Sequence, residues 1–321
     1  MKRKLIKQGR GGSFTINLPK KWVDERNLKS GEDIDLAVEE DKITIRAEEI
    51  KQQEYTLKLD ITNFKAKTID ILLMEIYSTG FTKVLLTYKN KNTETGSYYD
   101  TKPVAVSEFL TKIVINNIGF EIFEQDDHST LIKQVSKVDE EEFNMTIRRL
   151  FILTKEINNK LLEFFENRDT NLNTIQNDVL HMWRFVYYGM RLISLNVVQK
   201  NKTNLHAIMD HFEIISSTYN FLISKLTRKD KFDKDTIKQL IQLKELSEIA
   251  YSTFYKFNFE NYAQFDKELR KFYKQSEKYP KNCSDKEIEI KRLFVHCALS
   301  LHHIMKNTIK IELGKRKVSN A

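Results

Sequence analysis

Residues 2–22 read KRKLIKQGRGGSFTINLPKKW, and their order of basic, glycine-rich and alternating stretches decides how the rest of the chain is understood. Residues 1–26 carry eight basic side chains (Lys2, Arg3, Lys4, Lys7, Arg10, Lys20, Lys21, Arg26) against two acidic ones (Asp24, Glu25), a net charge of +6. The sign then reverses. Residues 27–50 carry three basic side chains against eight acidic ones, a net charge of −5. A surface charged only for solubility has no reason to sort its charges in this way; a small module with one face turned to phosphates does.

Within the stretch, residues 4–7 are predicted as a short strand, and Gly9, Gly11 and Gly12 as a turn open to positive φ. Residues 15–18 (Thr-Ile-Asn-Leu) alternate as a second strand, which Pro19 stops. Proline is pre-set for a first helical turn, so residues 20–26 are read as one short helix with Trp22 and Val23 inward. After a turn at residues 29–32, Ile34, Leu36 and Val38 alternate on one arm of a hairpin and Ile43 and Ile45 on the other. Fifty residues with so few apolar side chains do not fill a core alone, and a dimer supplies what is missing.

The run RKLIKQGRGGSFTINLPKKWVDERNLKSGEDIDLAVEEDKITI, residues 3–45, resembles the swapped-hairpin DNA-binding domain of the AbrB, SpoVT and MazE kind. The form is the one found at the front of archaeal proteins that continue into a PhoU-like helical domain. LIKQG, the strand ending in Leu-Pro-Lys-Lys-Trp and the Asn-Leu-Lys-Ser-Gly-Glu turn carry the likeness. It implies a homodimer in which two chains exchange β-hairpins into one barrel whose basic loops lie on DNA. Two departures are visible. Arg10 stands in a turn that usually runs Gly-Gly-Ser-Ser, and Val23 and Asp24 stand where AbrB-type relatives often carry an arginine pair. Contacts are therefore assigned from this chain's own chemistry. Arg3, Lys4, Lys7, Arg10, Lys20 and Lys21 are the expected phosphate contacts, and the Ser13 and Thr15 hydroxyls with the Asn17 amide fix orientation.

The whole chain has 321 residues, 53 basic against 45 acidic, and 40% hydrophobic content, an ordinary composition for two or three domains. Charged residues interrupt every apolar run, so neither a membrane span nor a signal peptide is expected, and the protein is read as cytoplasmic. Cys283 and Cys297 make no CxxC and no disulfide framework, which fits reduced thiols.

Residues 51–136 are read as a small α/β domain serving as a linker or for dimerisation. The predicted order is strand (55–59), helix (64–77), strand (83–88), helix (106–117) and a hairpin around Asp126 and Asp127, on a mainly antiparallel sheet. Residues 89–102, polar around Gly96, are expected to be a mobile loop. No phosphate loop or acid pair appears in this segment.

From residue 139 the periodicity is helical in six stretches, 139–167, 171–200, 203–228, 233–257, 259–279 and 284–313. Short breaks favour antiparallel neighbours, and six divides into three plus three. Following the N-terminal module, these helices resemble the PhoU-like domain of phosphate-signalling regulators, which is built as tandem three-helix units and often carries metal-holding acid pairs one turn apart. Here those pairs are broken. In IQNDVLHMWRFVYYGMRLI they become Gln176 and Leu180, in HFEIISSTYNFL Glu213 and Ser217, and in IKRLFVHCALSLHHI Lys291 and Val295. The histidines do not replace them: His302 and His303 are adjacent and diverge, and His206 and His211 are five apart. No metal, cofactor or catalytic residue is assigned, and no nucleophile elbow or Walker loop is present.

The expected architecture is thus α+β and multidomain: a swapped-hairpin barrel over 1–50, a small α/β domain over 51–136 and an all-α PhoU-like bundle of two three-helix units over 137–321. The expected function is a dimeric DNA-binding transcriptional regulator, with a phosphate-uptake role implied only by the resemblance. The competing reading is a signalling adaptor whose bundle docks on a transporter or sensor kinase without touching DNA.

Overall fold

The structure is a computed structural model. It describes residues 3–8, 13–39, 42–46, 54–96, 101–136, 138–166, 170–277 and 284–319. The chain divides into two compact units, Met1–Glu54 and Tyr55–Ala321. Both helices and small sheets are present, so the class is α+β, and among the described residues no sheet closes into a barrel.

In the first unit β1 (Ile6–Gln8) pairs antiparallel with β2 (Ser13–Thr15). The short helix α1 (Lys20–Glu25) follows Pro19, whose carbonyl accepts from the Val23 N–H at 3.1 Å. Asn27 and Gly31 take positive φ, 54° and 92°, which lets the chain reverse into β3 (Asp35–Glu39) and β4 (Lys42–Arg46). The first ladder is shifted from expectation: β1 begins two residues late and β2 ends before Ile16, so the Thr-Ile-Asn-Leu alternation does not mark the paired residues.

The second unit begins with a four-stranded sheet in the order β5-β6-β10-β9. β5 (Thr56–Asp60) runs parallel to β6 (Lys83–Thr87), joined by α2 (Ala66–Ser78). β7 (Asn92–Gly96) and β8 (Thr101–Ala105) form a separate antiparallel hairpin where a mobile loop was expected. Thr93, Thr95, Thr101 and Val104 favour extended backbone, and the Thr93 hydroxyl anchors the hairpin to the Phe64 carbonyl at 3.3 Å. Pro103, which lacks an N–H, fits a ladder of only two strands. α3 (Val106–Val114) then leads to β9 (Phe120–Gln125) and β10 (Ser129–Gln134), antiparallel with a bulge at Leu131/Ile132. The Asp126 carboxylate makes the β9–β10 turn by accepting the His128 and Ser129 N–H groups, both at 2.7 Å, and these bonds hold its pKa below the ordinary carboxylate value.

Six long helices complete the unit: α4 (Glu140–Glu166), α5 (Leu172–Ser194), α6 (Lys202–Lys225), α7 (Lys234–Tyr255), α8 (Phe259–Ser276) and α9 (Asp285–Ser319). Their starts are capped by Asn171, Asp233 and Asn258, and at α9 by a reciprocal box between Ser284 and Glu287. Helix contacts run in a circuit from α4 through α5, α6, α9 and α7 back to α4, with α8 against α7 and α9. The expected three-plus-three division is thus bridged by one core. Buried Asn158 ties α4 to α6 and α7, accepting from the Tyr219 hydroxyl at 2.8 Å and donating toward the Ser247 hydroxyl at 3.4 Å.

The sheet and the bundle are also joined. Arg191, near the end of α5, is 1% exposed. It donates to the Tyr77 carbonyl at 2.7 Å and to the Gln134 side chain, and its guanidinium lies over the Tyr77 and Phe120 rings at 4.8 and 4.5 Å. Burial pushes its pKa down to about 10, which leaves it charged at neutral pH. Residues on both sides of position 136 therefore share a core.

Two imidazoles also meet inside the bundle. His211 on α6 stacks on His303 on α9 with ring centroids 4.6 Å apart and planes 11° from parallel. Burial, then the neighbouring His303, holds the His211 pKa below its ordinary value, against the pull of Asp210. Burial also lowers that of His302, with His303 and Lys306 adding to it.

Two outcomes are expected. Arg191→Met removes the guanidinium's bond to the Tyr77 carbonyl and its packing on two rings and costs about 2–4 kcal/mol in urea unfolding; Arg191→Lys recovers little, because an ammonium lacks the planar fork. The lowered imidazole pKa values mean that the folded protein binds fewer protons than the unfolded chain. Their stabilising contribution is full above about pH 6.5 and is lost as pH falls through the depressed folded-state values. The melting temperature should drop between pH 7 and pH 5, and less steeply in His211→Leu.

Candidate nucleic-acid interface

The expected contact residues belong to the first unit. Arg3, Lys4, Lys7, Asn17, Lys20 and Lys21 are exposed, and Thr15 is half-buried. The backbone of Ser13 opens β2; Arg10 lies outside the described residues. The β1–β2 register sets Ile6 opposite Thr15, Lys7 opposite Phe14 and Gln8 opposite Ser13. Side chains alternate across a ladder, so Lys7 and Phe14 share one face while Ile6 and Thr15 lie on the other. The Thr15 hydroxyl donates to the Gln8 side chain at 2.9 Å. The ladder therefore groups Thr15 with Gln8 and sets Lys7 on the opposite face.

Lys20 and Lys21 open α1, where no acidic residue sits in the first turn to offset them. Lys21 reaches Glu25 one turn on at 3.9 Å, a loose and exposed pair worth little. Of the acidic residues, Glu32 is used locally: it accepts the Lys29 N–H at 2.9 Å and closes the turn before β3.

Among the residues of this unit whose side chains are described, none is buried. Phe14 is 65% exposed and Ile43 64%, and Leu5, Ile6, Ile16 and Leu36 are exposed as well. In the β3–β4 register Leu36 faces Ile45, and Ile43 lies two residues further along the same face. Two residues of the ladder were missed from the sequence: Phe14, beside Lys7, and Gln8, the partner of Thr15. The strand parity across the glycine turn was the signal that could have found them.

In the second unit three of the six positions expected to have lost metal ligands have other partners. Gln176 donates to Asn220 at 2.7 Å, Glu213 accepts from the Tyr187 hydroxyl at 2.8 Å, and Lys291, 3% exposed, lies 3.4 Å from Asp233. Among the described residues no group of three or more His, Cys, Asp or Glu side chains is placed to hold a metal ion. No described helix is long and apolar enough to cross a membrane. Cys297 is a buried free thiol whose pKa burial raises, and Cys283 lies outside the described residues.

Compared with protein-family models, curated proteins and solved structures, the chain gives no significant match. The likeness to AbrB-type and PhoU-like proteins rests on the residues quoted above.

Proposed function

We propose that the protein is a cytoplasmic DNA-binding regulator of transcription that acts as a homodimer. The observation that carries this reading is a coincidence within one small unit: a surplus of exposed cations stands beside apolar side chains that have no core. A second copy, with its hairpins exchanged as the AbrB resemblance implies, would cover Phe14, Leu36 and Ile43 and gather two sets of cations. In this reading Arg3, Lys4, Lys7, Arg10, Lys20 and Lys21 meet phosphates, and Ser13, Thr15 and Asn17 orient the module. The helical unit senses or dimerises, and a change in its state alters DNA occupancy. A link to phosphate uptake enters through the PhoU resemblance alone.

Fluorescence anisotropy of the full chain on mixed DNA fragments across a salt series tests the reading. Affinity is expected to fall steeply with salt. Lys7→Ala with Arg10→Ala is expected to weaken all sequences alike and to flatten the log–log slope by about 0.9 for each phosphate no longer neutralised. No binding even at low salt would sink the DNA reading in favour of an adaptor docking through its bundle. Phe14→Asp is expected to remove dimerisation of the first unit and DNA binding together, while leaving the melting of the helical unit unchanged. Retention of full DNA affinity in that variant would show that the apolar surface is not the dimer contact.

A further inference from the structure

Between α4 and α7 a cavity of about 330 Å3 opens to solvent, lined by Phe151, Ile152, Lys155, Ser247, Glu248 and Tyr251. It lies at the small end of the ~300–1,000 Å3 range of ligand pockets. The inner wall is apolar: Phe151 is buried and sits edge-on to Tyr251 with centroids 5.7 Å apart. Two opposite charges line the same cavity. Lys155 Nζ lies 3.1 Å from Glu248 Oε1, with the two side chains 54% and 40% exposed.

That ion pair restricts what can enter. Both groups are partly hydrated, so a neutral guest offers neither of them a charged partner and a guest with one charge offers a partner to only one. A zwitterion satisfies both. An exposed pair of this kind is weak, and two charge-assisted hydrogen bonds to a guest would replace it. The apolar wall then asks for a hydrocarbon or aromatic group a few bonds from the two charges. We propose that this cavity binds an α-amino acid with an aromatic or branched aliphatic side chain, its carboxylate on Lys155, its ammonium on Glu248 and its side chain against Phe151 and Tyr251.

Phe151 also packs against Phe212 of α6 and Phe254 of α7, so an occupant bears on rings from three helices. Such a guest would be an effector for the regulator proposed above, but the site stands on its own geometry whether or not the protein binds DNA.

Isothermal titration of the full chain, without DNA, with L-phenylalanine and L-leucine tests it. The controls are 3-phenylpropionate and 2-phenylethylamine, which keep the ring and carry one charge each. At least one amino acid should bind once per chain. For phenylalanine, both single-charge analogues should bind at least about tenfold more weakly. Lys155→Met and Glu248→Gln should each weaken amino-acid binding by about tenfold without lowering the melting temperature, since both side chains are exposed. Glu248 also lines a neighbouring cleft between α7 and α8 that Lys155 does not reach, so a guest bound there would be indifferent to Lys155→Met. No heat from either amino acid at millimolar concentration, an analogue that binds as well as phenylalanine, or unaltered binding in Lys155→Met overturns the proposal.

Discussion

A buried guanidinium joins the sheet of the second unit to its helices. Arg191 has no carboxylate partner among the described residues, yet a charge cannot be left bare in a core. Its solution is distributed: the Tyr77 carbonyl, the Gln134 amide oxygen and two aromatic faces each take a share. Those partners come from α2, β9 and β10, and the cation from α5. Tyr77 is fixed in turn by its hydroxyl on the Ile118 carbonyl and by Phe120 edge-on at 5.0 Å. The sheet cannot shift on the bundle without breaking several of these at once.

The first unit is built differently. The helical unit has dozens of apolar side chains spaced at 3.6 residues and buries them within one chain. The N-terminal unit has too few, spread over two short ladders and one helix of six residues. Its cations are exposed without cost, but its apolar groups are not. Under the dimer reading, the same association that gives it a core would double its charge against a polyanion, so folding and binding would share one requirement.

Much of this was legible in the sequence where the signal was local. Helical spacing marked the helices to within a few residues, except at the ends of α5 and α9. The β7–β8 hairpin was hidden because Asn-Thr-Glu-Thr-Gly is polar on both faces and has no apolar alternation to betray a strand. Arg191 was hidden for another reason: a basic residue near the end of an amphipathic helix looks like a surface group, and only the arrival of Tyr77 and Phe120 makes it a core one. The His211–His303 stack joins residues from different helices, which periodicity cannot pair. At the N-terminus the residue types of the candidate interface could be read, whereas the separation of Lys7 from Thr15 needed the register across the glycines.

The bond from Arg191 to the Tyr77 carbonyl spans 114 residues of chain. At the ~5–20 residues per second of protein synthesis, Arg191 is made about 6–23 s after Tyr77. β6, β9 and β10 are made within that interval, so α2 and the completed sheet precede the helix that carries the guanidinium. Synthesis of α5 supplies the cation that joins sheet to helices, whereas the circuit of helices closes only with α9, the last element made.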